Sequence, residues 1–134
     1  RRHSRFKCDW SSDVCSSDLD AAVALAQQAA AGGADLRGFE LDRAARTVLQ
    51  DAGFGSAILH RTGHSLGEEV HGNGAHLDDY ETHDDRRILP GAGFTIEPGL
   101  YFEHFGVRTE VNVFRSTGEA RVTGPRQMEL VCLA

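Results

Sequence analysis

Six of the seven histidines lie between residues 60 and 104, interleaved with acidic residues. Imidazoles and carboxylates gathered in a glycine-rich stretch have two chemical uses: they ligate divalent metal ions, and they carry protons. The densest block, HRTGHSLGEEVH, spaces His60, His64 and His71 four and then seven residues apart. On a helix His60 and His64 would share one face, as in a zinc-binding HExxH pair, but Arg61 stands where that pattern requires glutamate. Gly63 and Gly67 argue for strand and turn instead. There the backbone approaches closely, and imidazoles serve as neutral nitrogen ligands or proton carriers. His76, His83 and His104 sit among polar residues and read as incidental surface histidines.

Two carboxylates belong with this block. Glu97 interrupts the apolar run Phe94-Thr95-Ile96 immediately before Pro98-Gly99. An unpaired carboxylate is costly to bury there, so it must meet a cation. In GVRTEVNVF, Val107, Thr109, Val111 and Val113 alternate with Arg108, Glu110 and Asn112. That period of two puts the apolar set on one face of a strand, and an acid and a base together on the other. Read physically, one histidine and two strand-borne carboxylates converge, with a metal ion as their natural object.

The elements that must hold these groups are few. Residues 20–31 (DAAVALAQQAAA) are alanine-rich and form a helix stopped by Gly32-Gly33. Residues 40–52 place Leu41, Ala45, Val48, Leu49 and Ala52 on one face of a second helix, expected to pack on a sheet, with Gly53 and Gly55 beyond it. Ser56 to Leu59 is a short apolar run. Phe94 to Ile96, Leu100 to Phe102, Val107 to Phe114 and Arg121 to Thr123 read as strands between Gly and Pro punctuation. Residues 72–91 are polar and turn-rich, hence a loop. Two helices followed by antiparallel strands make the chain α+β.

With 134 residues and a net charge of −6, the chain is one ordinary domain at most. The acidic balance excludes the basic stripe of a nucleic-acid-binding surface, and no run reaches the roughly 18 apolar residues of a membrane span. Three cysteines, Cys8, Cys15 and Cys132, make no disulfide framework, so a cytoplasmic location is expected.

Residues 1–19 differ from the rest. They hold Lys7, the only lysine, and the only tryptophan, and every basic side chain after them that is not histidine is arginine. The stretch DWSSDVCSSDL, residues 9–19, resembles one reading frame of a widely used sequencing adapter, codon by codon. We therefore expect residues 1–19 to be an artefactual tail and residues 20–134 to be the natural portion, cut at residue 20 from a longer protein.

Taken in order and spacing, GHxLG (63–67), VHG (70–72), TIEPGLY (95–101) and GVRTEV (106–111) closely resemble the C-terminal half of pita-bread metallopeptidases. These comprise Xaa-Pro aminopeptidases, prolidases and methionine aminopeptidases, and the HxxGH opening and the Arg108-Thr109-Glu110 context resemble the Xaa-Pro branch most. The resemblance covers roughly residues 36–124. It implies a truncated pita-bread fold and peptide hydrolysis by two divalent ions, with manganese first and cobalt, zinc or iron as alternatives. His64 and Glu97 match metal ligands, Glu97 also matches the proton shuttle, and Glu110 matches the glutamate bridging both ions. His71 matches the histidine that steadies the scissile carbonyl, His60 one lining the substrate pocket, and Arg108 an arginine that orients the bridging glutamate within the substrate site. Val111 departs from the aspartate that members often carry there.

The family's remaining ligands are two aspartates expected upstream of residue 20, and Asp35, Asp42 and Asp51 are no substitutes. The resemblance thus implies an active parent peptidase, an inactive 134-residue chain, a peptide as partner, and a homodimer as the assembly common among relatives. A metal-free, creatinase-like hydrolase and a non-catalytic peptide-binding relative are the rival readings.

Overall fold

The computed structural model describes residues 9–127, with side chains from residue 16 onward. Cys8, Cys132, the side chain of Cys15 and the first eight residues of the tail lie outside the described residues. Two helices come first, α1 (Asp9–Ala31) and α2 (Gly38–Asp51), followed by a single 3₁₀ turn at Gly55–Ala57. Six short strands follow among the described residues: β1 (Ser65–Leu66), β2 (Gly93–Ile96), β3 (Gly99–Tyr101), β4 (Gly106–Arg108), β5 (Val111–Ser116) and β6 (Glu119–Thr123). The order β1-β2-β5-β6 makes one antiparallel sheet, and β3-β4 a separate antiparallel pair. No helix of the described residues is long and apolar enough to cross a membrane.

Both helices end for the same reason. Gly33 (φ 63°) and Gly53 (φ 87°) take the left-handed conformation that closes a helix. The following amides then turn back, Ala34 N to Ala29 O at 2.9 Å and Phe54 N to Leu49 O at 2.9 Å. The helix expected from Asp20 begins at Asp9 and runs unbroken through that position, because nothing in residues 9–19 breaks it. Its alanines let it lie close to its neighbours. Leu19, Ala22, Ala26 and Ala30 are buried with Leu41 and Ala45 of α2 and with Phe94, Ile96, Val111, Val113 and Ala120 of the sheet. α1 covers the four-stranded sheet, while α2 packs mainly on α1 and meets the strands through Leu49 at the β3-β4 pair. In α2, Leu41, Ala45 and Leu49 are buried as the period requires, whereas Ala52 is exposed past the helix end.

A second apolar cluster joins Leu49, Ala57 and Ile58 to Leu100, with Phe54, Phe102 and Val107 around it. This cluster fixes the β3-β4 pair, and with it Arg108, against the end of α2.

The expected strand from Val107 to Phe114 is two strands. Its in-and-out alternation continues through Thr109 and Glu110, but the hydrogen bonding changes sheet there. The partner strand changes at the same level, at Glu97-Pro98, where proline has no amide to donate. Ile96 pairs with Val111 and Gly99 with Arg108. The register is therefore continuous across the gap, and Glu97 falls opposite Glu110.

Candidate functional site

Two carboxylates opposite one another on a strand pair repel unless a cation stands between them. Arg108, two residues before Glu110 and on the same face, supplies one. Its Nη1 lies 3.4 Å from Glu97 Oε2 and its Nη2 3.6 Å from Glu110 Oε2. The need for a cation at Glu97 is thus met on one of its oxygens. The other oxygen, Oε1, accepts a hydrogen bond from Thr95 Oγ1 (3.2 Å) and faces His64 Nε2 at 3.3 Å.

His64 is buried, and it reaches Glu97 because residues 62–66 run beside β2. Thr95 N donates to His64 O (2.9 Å), Glu97 N donates to Thr62 O (2.6 Å), and His64 N donates to Thr95 Oγ1 (2.9 Å). Gly63 permits the approach. A Cβ there would stand 2.1 Å from the Thr95 carbonyl oxygen, a backbone atom with nowhere to go. The His64 ring is set by its own neighbour: Nδ1 lies 3.0 Å from Ser65 O, a carbonyl that only accepts, so Nδ1 donates there and Nε2 is the nitrogen turned toward Glu97.

His71 is exposed, and its ring centroid stands 4.2 Å from that of His64. The loop carrying it folds back on β1, with Gly72 N donating to Ser65 O (2.7 Å) and Gly74 N to Ser65 Oγ (3.1 Å). His60 has the same tautomer as His64. Its Nδ1 donates to Arg61 O at 2.6 Å, and its Nε2 accepts from the Tyr101 hydroxyl at 2.8 Å.

His60, His64, His71, Glu97 and Arg108 line one cleft of about 210 Å³, together with Arg61 and Glu81. Glu110 lies outside the lining and joins it through Arg108. Tyr101 and Glu81 are additions that sequence reasoning missed. Tyr101 had a faint signal, an aromatic ring with Gly99 and Gly106 making room for it. Glu81 had none, since it reaches the cleft through a turn in the polar loop. There Asp78 Oδ1 accepts the amides of Tyr80 and Glu81, both at 2.9 Å.

The histidines read as incidental divide. His104 is exposed, and His83 is an exposed partner of Asp79 (2.6 Å). His76 is half-buried and structural: its Nδ1 accepts from Ser65 N at 3.1 Å. Burial, then the charges of Arg61 and Arg86, hold its pKa below the usual imidazole value. Beside it, burial pushes Asp84 up, but Arg86 and the amides of His76 and Arg86 outweigh that and bring it to about 2.

The donor set can be tested against a divalent ion. Ligands at about 2.0–2.1 Å in tetrahedral geometry stand about 3.3 Å apart, the separation of His64 Nε2 and Glu97 Oε1. This pair fits one edge of a coordination shell. Among the described residues, no three His, Cys, Asp or Glu side chains are gathered closely enough to hold a metal ion.

The sequence model of metallopeptidase family M24 matches residues 13–115, a span that begins inside the stretch 1–19. The chain is 41% identical over 88 residues to an Xaa-Pro dipeptidase of Lactobacillus delbrueckii subsp. lactis, covering 63% of this chain and 23% of that protein. Among solved structures it resembles dipeptidase PepE of Mycobacterium ulcerans, with a TM-score of 0.74 and 30% identity over 89% of this chain and 30% of that one. It resembles the prolidase of Pyrococcus horikoshii OT3 with a TM-score of 0.76 and 26% identity, over 90% and 32%. The chain spans about a quarter of the length of the curated relative and under a third of these solved ones.

Proposed function

Because the chain belongs to metallopeptidase family M24, we propose that it supplies one side of a dinuclear peptidase centre acting on Xaa-Pro peptides. The relatives are an Xaa-Pro dipeptidase and a prolidase by name, and the fold is the pita-bread α+β fold of that group. One observation carries the reading: a ring nitrogen and a carboxylate oxygen, His64 Nε2 and Glu97 Oε1, are held 3.3 Å apart, the separation of two neighbouring ligands on one ion.

His64, Glu97 and Glu110 would hold the ions, with manganese first in view of the carboxylate-rich set. When bound, such ions polarise a substrate carbonyl and acidify water. The side chains do the rest. His71, at the cleft mouth, would donate a hydrogen bond to the scissile carbonyl oxygen as charge develops there. Glu97 would take a proton and hold it for the departing nitrogen. Arg108 spans both glutamates and fixes their orientation. His60, locked by Tyr101, presents a fixed wall to the substrate.

None of the aspartates after residue 19 that sequence reasoning set aside completes the set. Asp42 is engaged by Arg46 and two amides, Asp35 pairs with Arg87, and Asp51 is exposed at the end of α2. The 134-residue chain alone should therefore cleave no Xaa-Pro peptide. A longer chain carrying two further aspartate ligands should cleave such dipeptides with manganese, and Glu110→Gln should lower that activity by roughly 100-fold. Arg108 favours one rival, because a guanidinium can neutralise both glutamates without a metal ion. In that metal-free hydrolase, activity survives strong chelation, and this outcome would overturn the proposal.

A further inference from the structure

Asp42 lies outside the cleft and takes no part in the chemistry above, yet its side chain is fully buried. It sits on α2, and both of its oxygens are crowded with donors. Oδ1 accepts from Thr62 N (2.7 Å) and Arg46 Nη2 (2.9 Å). Oδ2 accepts from Asp79 N (3.1 Å), Arg46 Nε (2.9 Å) and Arg46 Nη2 (2.7 Å). The two backbone amides belong to the two segments that line the cleft. Thr62 stands between His60 and His64, and its carbonyl accepts the Glu97 amide at 2.6 Å. Asp79 lies within the turn, begun at Asp78, that brings Glu81 to the cleft. One carboxylate thus joins α2, the histidine segment, β2 through Thr62, and the polar loop.

We propose that Asp42, held by Arg46, is the positioning residue of the site: through Thr62 it sets the place of His60 and His64 relative to Glu97. The role rests on the peptidase reading for its purpose, but not for its test. Arg46 neutralises the buried carboxylate and keeps it turned toward the two amides. Its guanidinium is itself packed over the Tyr80 ring (4.8 Å), next to Glu81. Every partner of both oxygens is a donor, so an amide in place of the carboxylate cannot satisfy them. Whichever way the substituted amide is turned, its NH₂ meets an N–H.

The test is NMR on the 134-residue chain, comparing Asp42→Asn with Arg115→Met. Arg115 is a buried staple of the fold, donating to Ile88 O (2.5 Å) and Ala34 O (2.9 Å) away from the cleft. Both variants should lower stability. Only Asp42→Asn should shift the His60 and His64 ring signals and speed hydrogen exchange at the Thr62, Asp79 and Glu97 amides, on the order of tenfold. Unmoved ring signals in Asp42→Asn, or equal movement in Arg115→Met, overturn the proposal. Should Asp42→Asn fail to fold, exchange in the unmodified chain decides. Thr62 and Asp79 amides protected as strongly as that of Glu97 support the clamp, and exchange at the rate of exposed loop amides overturns it. No readout requires turnover, so an inactive site leaves this role standing, and a failed clamp leaves the metal reading intact.

Discussion

Asp18 is fully buried on α1, next to Leu19, and one of its oxygens has no hydrogen-bond partner among the described residues. Burial raises its pKa to about 7 from 3.8, despite the amides that stabilise its charge, among them Leu19 N at 2.6 Å. Folding therefore favours the protonated carboxyl. Its contribution to stability is complete below pH 3.8, declines as the pH rises toward 7, and is absent above that. About three pH units at 1.36 kcal/mol each amount to about 4 kcal/mol, a large part of the roughly 5–15 kcal/mol that holds a domain folded. Asp18→Asn keeps the shape of the neutral carboxyl and removes the titration. Urea unfolding of both chains across this range should show the variant level with the parent near pH 4 and about 4 kcal/mol more stable at pH 8. A difference that does not change with pH would refute the reasoning. Resequencing the source across codon 20 checks the proposed artefactual origin of residues 1–19.

Three further outcomes follow from the geometry. Gly63→Ala puts a Cβ 2.1 Å from the Thr95 carbonyl oxygen, so residues 62–66 should part from β2, with a loss of about 2–4 kcal/mol in thermal unfolding and loss of the His64–Thr95 amide protection. Arg108→Met leaves Glu97 and Glu110 facing each other without their cation, so the ¹³C carboxyl signals of both should move and stability in urea should fall by about 1 kcal/mol. Asp84, held at about 2, contributes stability that is present above pH 3.8 and lost as the pH falls through 2. Asp84→Asn should therefore lower stability by about 2 kcal/mol at pH 6 and much less at pH 2, in the same urea assay.

How much of this was legible depended on the range of the interaction. His60, His64 and His71 could be grouped because their spacing and glycines are local, and Glu97 because a charge in an apolar strand demands a partner. Arg108 and Glu110 shared a face by simple alternation. That same alternation concealed the change of sheet at Thr109-Glu110, since side-chain period persists where hydrogen bonding switches. Asp42 looked like one more polar position on an amphipathic helix, for its partners Thr62 and Asp79 are 20 and 37 residues away. Tyr101 and Glu81 were hidden for the same reason. The packing of α1 on the sheet could not be foreseen from the stronger amphipathicity of α2, because an alanine face carries little periodic signal.

His64 Nε2 and Glu97 Oε1, 3.3 Å apart, are the proposed edge of a metal site. Manganese titrated into the isotopically labelled 134-residue chain tests this directly, because the ion broadens the NMR signals of whatever binds it. The His64 ring and Glu97 carboxyl should broaden first, with the His71 ring next, before the exposed acids Glu68, Glu69 and Glu103. Broadening that begins at those surface acids while His64 and Glu97 stay sharp would contradict it.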